Sequence, residues 1–221
     1  IQKLNLYHSL IFFLVANALT LIIYLEKNIF ISHTISLFLI LTIGISHGSL
    51  DHVKGKKLLD ILKINNIYLF FIVYILIALF IIILWLLFPA TSLIMFLLIA
   101  SYHFGKEDTD FLIVKNLFPN QLLFFFKGLL IILAPLQFHF EETIDIFKFL
   151  LVENERFYIF LNFMESSKMI PVLFLFSAFS SIYLFVKNFN FISFTIFLDF
   201  FSILILNYYL SPILAFTFYF C

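Results

Sequence analysis

Apolar residues in this chain gather into long unbroken runs, and the runs recur from one end to the other. With about 20 residues per crossing of a hydrocarbon core as the yardstick, they predict helices near Ser9–Leu25, Ile29–His47, Ile67–Phe88, Ser92–Phe104, Gln121–Phe138, Ile170–Val186 and Phe191–Leu206, with an eighth begun at Tyr208. The period-two alternation of a membrane β-barrel is nowhere visible. The expected fold class is all-α: a polytopic transmembrane bundle of about seven complete helices plus the start of an eighth, in a single domain over residues 1–221.

The prolines punctuate this pattern. Pro89 ends the third run, and Pro119 precedes the fifth, where a missing N–H costs nothing. Pro135 falls inside the fifth run, where it should kink the helix and free a carbonyl. The first run is not a signal peptide, because no small-residue cleavage site follows it and another span comes next. The chain begins at Ile1, and its last apolar run is too short to cross a bilayer before Cys221, so a fragment at both ends is expected.

Composition narrows the function classes. The chain is 64% hydrophobic and 12% charged with zero formal net charge, so no global field recruits nucleic acid, and lipid is the expected surroundings. Cys221 is the only cysteine, which excludes an internal disulfide, and no Cys-His array suggests structural zinc. Cytoplasmic loops collect Lys and Arg, and a cytoplasmic N-terminus puts Lys3, Lys54, Lys56, Lys57, Lys63, Lys106, Lys115 and Lys187 inside against Lys27, Lys148, Arg156 and Lys168 outside. The expected location is therefore the cell (inner) membrane, multi-pass, N-terminus cytoplasmic. The segment from His139 to Met169, with Glu141, Glu142, Asp145, Glu153 and Glu155, becomes a mostly acidic outer loop, with room for a helix on the membrane surface.

Against this background two polar clusters stand out: Ser46-His47-Gly48-Ser49-Leu50-Asp51-His52 and Ser101-Tyr102-His103-Phe104-Gly105-Lys106-Glu107-Asp108. Each closes an apolar run with a histidine, then a glycine, then acids. On the predicted topology both histidines fall near the cytoplasmic ends of their spans, so His47 and His103 are candidate ligands of one metal. Asp51 follows His47 by four residues and Glu107 follows His103 by four, a spacing at which a carboxylate can orient an imidazole. Glu107 reads equally well as a solvated acid at a loop start. His52 is a weaker candidate, five residues from His47, that joins the site only if Gly48 breaks the helix. His8 and His33 read as interfacial, and His139 should emerge on the other side. Lys127 sits near the start of the fifth span, where its stem should let it snorkel to the surface. Asp199 lies about halfway along the seventh and should face the interior, paired with Lys127, a histidine or a hydroxyl.

At His47-Gly48-x-x-Asp51-His52 and Tyr102-His103-Phe104-Gly105-x-x-Asp108 the chain resembles the Brp/Blh family of membrane β-carotene 15,15′-dioxygenases. The resemblance continues through Gly128 to Pro135 and into Ser211-Pro212-x-x-x-Phe216-x-x-Tyr219-Phe220-Cys221. It implies an enzyme that uses iron (Fe2+) and O2 to split β-carotene at its central double bond into two retinals, with a functional link to a retinal-binding rhodopsin. It also implies that His47 and His103 are iron ligands and that the remaining ligands lie beyond Cys221. Lys127 departs from the family pattern, which has a histidine or arginine before Gly128, while Asp199 matches an acidic position.

Two other readings remain open. His47-x-x-x-x-His52 could be one histidine box of a di-iron membrane desaturase or hydroxylase, a class that needs several such boxes. A transporter would use Asp199 and Lys127 as its intramembrane charges. A retinal-binding opsin is disfavoured, because no lysine lies within the seventh span to form a Schiff base.

Overall fold

The computed structural model describes residues 2–25, 33–48, 51–64, 66–109, 118–150, 152–187, 189–191 and 193–220. Among them the chain is helical, in eleven elements: α1 (Gln2–Leu25), α2 (His33–Gly48), α3 (Asp51–Ile61), α4 (Ile67–Leu87), α5 (Pro89–Glu107), α6 (Phe118–Phe138), α7 (Phe140–Phe149), α8 (Glu155–Ser166), α9 (Met169–Lys187), α10 (Phe194–Tyr209) and α11 (Pro212–Phe220). The all-α reading stands, but the count of seven helices and a start does not. The predicted runs correspond to α1, α2, α4, α5, α6, α9, α10 and α11, and three helices are additional. Those three, α3, α7 and α8, are 11, 10 and 12 residues long and carry charges, so a search for membrane-length apolar runs passes over them.

Four segments are long and apolar enough to cross a membrane: Leu6–Leu25, Ile67–Leu87, Phe118–Phe138 and Met169–Lys187. The chain is accordingly a membrane protein. Helix α4 is the purest case. Its sequence carries no charge, none of its residues is buried, and the Asn66 side chain caps its start by accepting from the Tyr68 amide at 3.0 Å. Pro89 opens α5 at the first helical position, where its missing N–H breaks no bond.

Helix α6 is the hub, packed against α5 on one side and against α9 and α10 on another, while α1 lies on α10 and α11 on α2 and α10. Hydrocarbon surroundings give apolar side chains little reason to leave lipid, so these contacts rest on close backbone approach and interhelical hydrogen bonds. Ser177, Ser180 and Ser181 line the buried face of α9, and the Ser177 hydroxyl donates across to the Phe126 carbonyl of α6 at 2.6 Å. The crossing of α5 and α6 is tighter still. A Cβ on Gly105 would collide with the Phe124 carbonyl oxygen, and one on Gly128 would collide with that of Ser101. Only glycine allows the two backbones to meet there.

Helix α6 runs through Pro135 without interruption, and the His139 amide closes its end on the Pro135 carbonyl at 2.8 Å. Pro135 and Ile131, the residue whose carbonyl a proline at that position leaves without its helical donor, line a cavity of about 40 Å3 between α6, α10 and α11. Beyond α6, the short helices α7 and α8 fold back as a cap. Phe140, Ile144 and Phe147 of α7 and Phe157 and Leu161 of α8 join Leu93, Leu133 and Leu136 in one apolar cluster. The Trp85 indole N–H donates to the Leu150 carbonyl at 3.0 Å, tying α4 to this cap.

Candidate functional site

The polar chemistry lies at the far end of the α5–α6 pair from that cap. The last turn of α5 carries two different faces. His103 is two residues before Gly105, roughly 160° around the helix from the α6 contact at 3.6 residues per turn. It is accordingly exposed, as is Glu107, and His103 Nε2 lies 3.2 Å from Glu107 Oε2. Asp108, three residues after Gly105, returns to the packed side and forms the C-cap of α5.

There Asp108 meets Lys127 of α6. The Lys127 side chain is 3% exposed and its ammonium is ion-paired with Asp108 Oδ2. The predicted snorkelling is therefore corrected. The neighbouring Gly105–Gly128 contact brings the Asp108 carboxylate within reach, so a partner is closer to the ammonium than the surface is. Tyr219 of α11 donates its hydroxyl to the same carboxylate oxygen at 3.2 Å. Its ring is held edge-on against Phe104 of α5, with centroids 5.7 Å apart, and against Phe12 of α1 at 6.3 Å. Asp199 of α10 is hydrogen-bonded to the Ser9 hydroxyl of α1 and sits within electrostatic reach of both Asp108 and Lys127. One buried ammonium of α6 is thus grouped with two carboxylates and a phenol drawn from three other helices. Such a cluster resists rearrangement, because any charge that loses its partner stays in a low-dielectric interior.

Thr109 closes the turn by donating to the Gly105 carbonyl at 2.6 Å, and the Tyr102 hydroxyl is hydrogen-bonded to the Gln121 side chain of α6. Both bonds fix the end of α5 to its own last turn and to its neighbour.

His47 is on the last turn of α2 and Asp51 opens α3, but their side chains lie outside the described residues, and so do Ser49 and Leu50. The proposed orientation of His47 by Asp51 therefore falls outside them as well. His52 is exposed on the first turn of α3. His8 is exposed on α1, and His139 sits before α7 at the opposite end of α6, its Nδ1 3.6 Å from Glu142 Oε1. Among the described residues no group of three or more His, Cys, Asp or Glu side chains is arranged to hold a metal.

Nothing in the sequence alone marks Asp108 and Tyr219 as partners, although both stand inside its motifs, Tyr102-His103-Phe104-Gly105-x-x-Asp108 and Phe216-x-x-Tyr219. What marks them is the helix pairing, since Asp108 matters only once Gly105 is known to lie on the α6 contact.

No curated protein and no solved structure matches the chain. The family model described as Beta-carotene 15,15'-dioxygenase matches residues 38–221, a span that includes both histidine motifs, the α5–α6 contact and the buried charge cluster. On that match the chain belongs to the β-carotene 15,15′-dioxygenase family.

Proposed function

We propose that this protein cleaves β-carotene at its central 15,15′ double bond with O2, giving two molecules of retinal, and that iron (Fe2+) is held by His47, His103 and further ligands. The observation that carries this reading is the family match across residues 38–221, which takes in both histidine motifs. The donor chemistry at α5 fits a metal-bound imidazole. Glu107 stands 3.2 Å from one ring nitrogen of His103, as the outer partner of a metal-ligating histidine commonly does. Glu107 would hold the proton on Nε2 and leave Nδ1 to face the metal. Asp51 would serve His47 in the same way, and His52 is a weaker candidate for the same region.

When bound, the iron supplies the chemistry that activates O2. The protein's own contribution is orientation and dryness. The exposed apolar faces of α2, α4 and α5 are those of a lipid-embedded protein, and an apolar polyene about as long as a bilayer core is thick, roughly 30 Å, would enter from the bilayer. No side chain is needed as a general acid or base.

The test is expression of the full-length protein in β-carotene-producing cells. Wild type should bleach the carotene and accumulate retinal, and His103→Ala and His47→Ala should each abolish product. Retinal yield unchanged in both variants would sink the site assignment. Iron content of the purified wild type would separate this reading from a transporter that uses its intramembrane charges.

A further inference from the structure

The buried cluster is not part of the candidate metal site, yet it is built into the same turn of α5. Three observations connect them. First, His103 and Glu107 occupy the exposed face of that turn, while Asp108, the next residue, is turned inward to Lys127. Second, the α5–α6 backbones touch at Gly105 and Gly128, so the turn cannot slide or tilt without breaking that contact. Third, Tyr219 bonds the same Asp108 oxygen from α11 while its ring packs on Phe104, the residue after His103.

We infer that Asp108 and Lys127 are positioning residues: their ion pair, with Tyr219 as a third member, fixes the rotation of the α5 end and so the direction in which His103 is presented. The catalytic part of this inference rests on the function proposed above. The geometric part does not. A helix end held only by apolar contacts in lipid is free to rotate, because one apolar face is much like another there. A charge-assisted bond to a buried ammonium removes that freedom, since rotating Asp108 away would strand the lysine. Lys127 lies directly before Gly128, so the residue that allows the close approach and the residue that fixes the rotation are neighbours on α6. Asp199 of α10 lies within electrostatic reach of the same ammonium.

The test uses the full-length protein with Cys221 and any cysteine outside residues 1–221 replaced by serine, leaving a single reporter thiol at His103→Cys, labelled in membranes with a maleimide. Its rate reports the exposure of position 103 and needs neither iron nor turnover. Lys127→Met and Asp108→Asn should each change that rate by at least about fivefold, while the conservative Lys127→Arg should keep it within about twofold of the parent. Tyr219→Phe, which leaves the ion pair intact, should produce a smaller change. Gel filtration in detergent shows which variants are folded. A labelling rate unchanged in folded Asp108→Asn and Tyr219→Phe would overturn the inference. So would single variants that alter the rate while Lys127→Arg alters it equally, because the lysine charge would then not be what matters. In the His103 protein, Asp108→Asn should lower kcat about tenfold with KM within about threefold, as expected when a reacting group is misaimed rather than a substrate site lost. A wild type that makes no retinal would sink the function proposed above and leave the labelling result standing.

Discussion

The two ends of the α5–α6 pair are built from the same two helices by opposite means. Where α5 begins and α6 finishes, Leu93, Leu133 and Leu136 bury apolar surface against Phe140, Ile144, Phe147, Phe157 and Leu161 of the cap. Where α5 finishes, the interior holds Ser101, Lys127 and the Asp108 carboxylate, with Tyr219 and Asp199 around them. The apolar end tolerates exchange of one hydrophobe for another of similar volume. The charged end does not, since every member depends on a particular partner. His103 stands at the second kind of end, on the exposed face of the turn that carries Asp108.

The contrast is broken most severely at the charged end. Lys127→Met leaves Asp108 without its cation and Asp108→Asn leaves the ammonium without its ion-pair partner, and each should cost about 3–5 kcal/mol of stability. Replacing both together, Lys127→Met with Asp108→Asn, should cost less than the sum, because the ammonium and its paired carboxylate are removed together and Asp199 alone keeps a charge there. Thermal unfolding of the four proteins in detergent gives the coupling directly. Additive losses would mean that the two residues do not form a pair in solution.

At the apolar end the expected losses are smaller. Leu133→Ala removes a side chain that is 4% exposed between α6 and the cap, and should cost about 2–3 kcal/mol through the cavity it leaves. Leu133→Met should cost less than about 1.5 kcal/mol, since the volume is nearly conserved. Retinal formation should persist in Leu133→Met and fall in Lys127→Met, which is the comparison stated as an assay. Equal loss in the two would mean that distance from the cap does not matter. A smaller loss than that of Leu133→Ala is expected at the α6–α9 contact, where Ser177→Ala deletes a single interhelical bond to the Phe126 carbonyl and should cost about 0.6–1.7 kcal/mol by the same unfolding measurement.

The difference between the ends also explains what the sequence could convey. Long apolar runs are read by length alone, so α1, α4, α6 and α9 are visible without any knowledge of their neighbours. Helix α7, with Glu141, Glu142, Asp145 and Lys148 opposite its buried Phe140, Ile144 and Phe147, is held through amphipathic packing, a signal that a hydropathy yardstick discards, and α3, with Lys54, Lys56, Lys57 and Asp60, is too short and too charged for that yardstick to find. The histidine motifs announced themselves because a polar cluster in such a chain is costly. The pairing of Lys127 with Asp108 did not, because it depends on the register of α5 against α6, and that register is set by Gly105 and Gly128, which in a sequence are only two small residues. Snorkelling was the sound expectation for a lysine with no known partner, and it fails once a partner is within reach.

The cap supplies the smallest and most easily read effect. Tyr158 of α8 donates its hydroxyl to the Val152 carbonyl, and burial raises its phenol above the ordinary tyrosine range, with Lys148 beside the ring opposing the shift. The folded cap therefore holds this proton more tightly than the unfolded chain does. Its stabilising contribution is complete below the unfolded value of 10.0 and is lost as pH rises through the higher folded value. Trp85 is the only tryptophan in the chain and its indole is bonded to Leu150 of the cap, so its emission reports whether the cap is seated. Raising the pH past the ordinary tyrosine range should shift that emission toward the red. Tyr158→Phe should lose about 1 kcal/mol of cap stability at neutral pH and abolish the pH-dependent step. A step of the same size in Tyr158→Phe would assign the titration to another tyrosine.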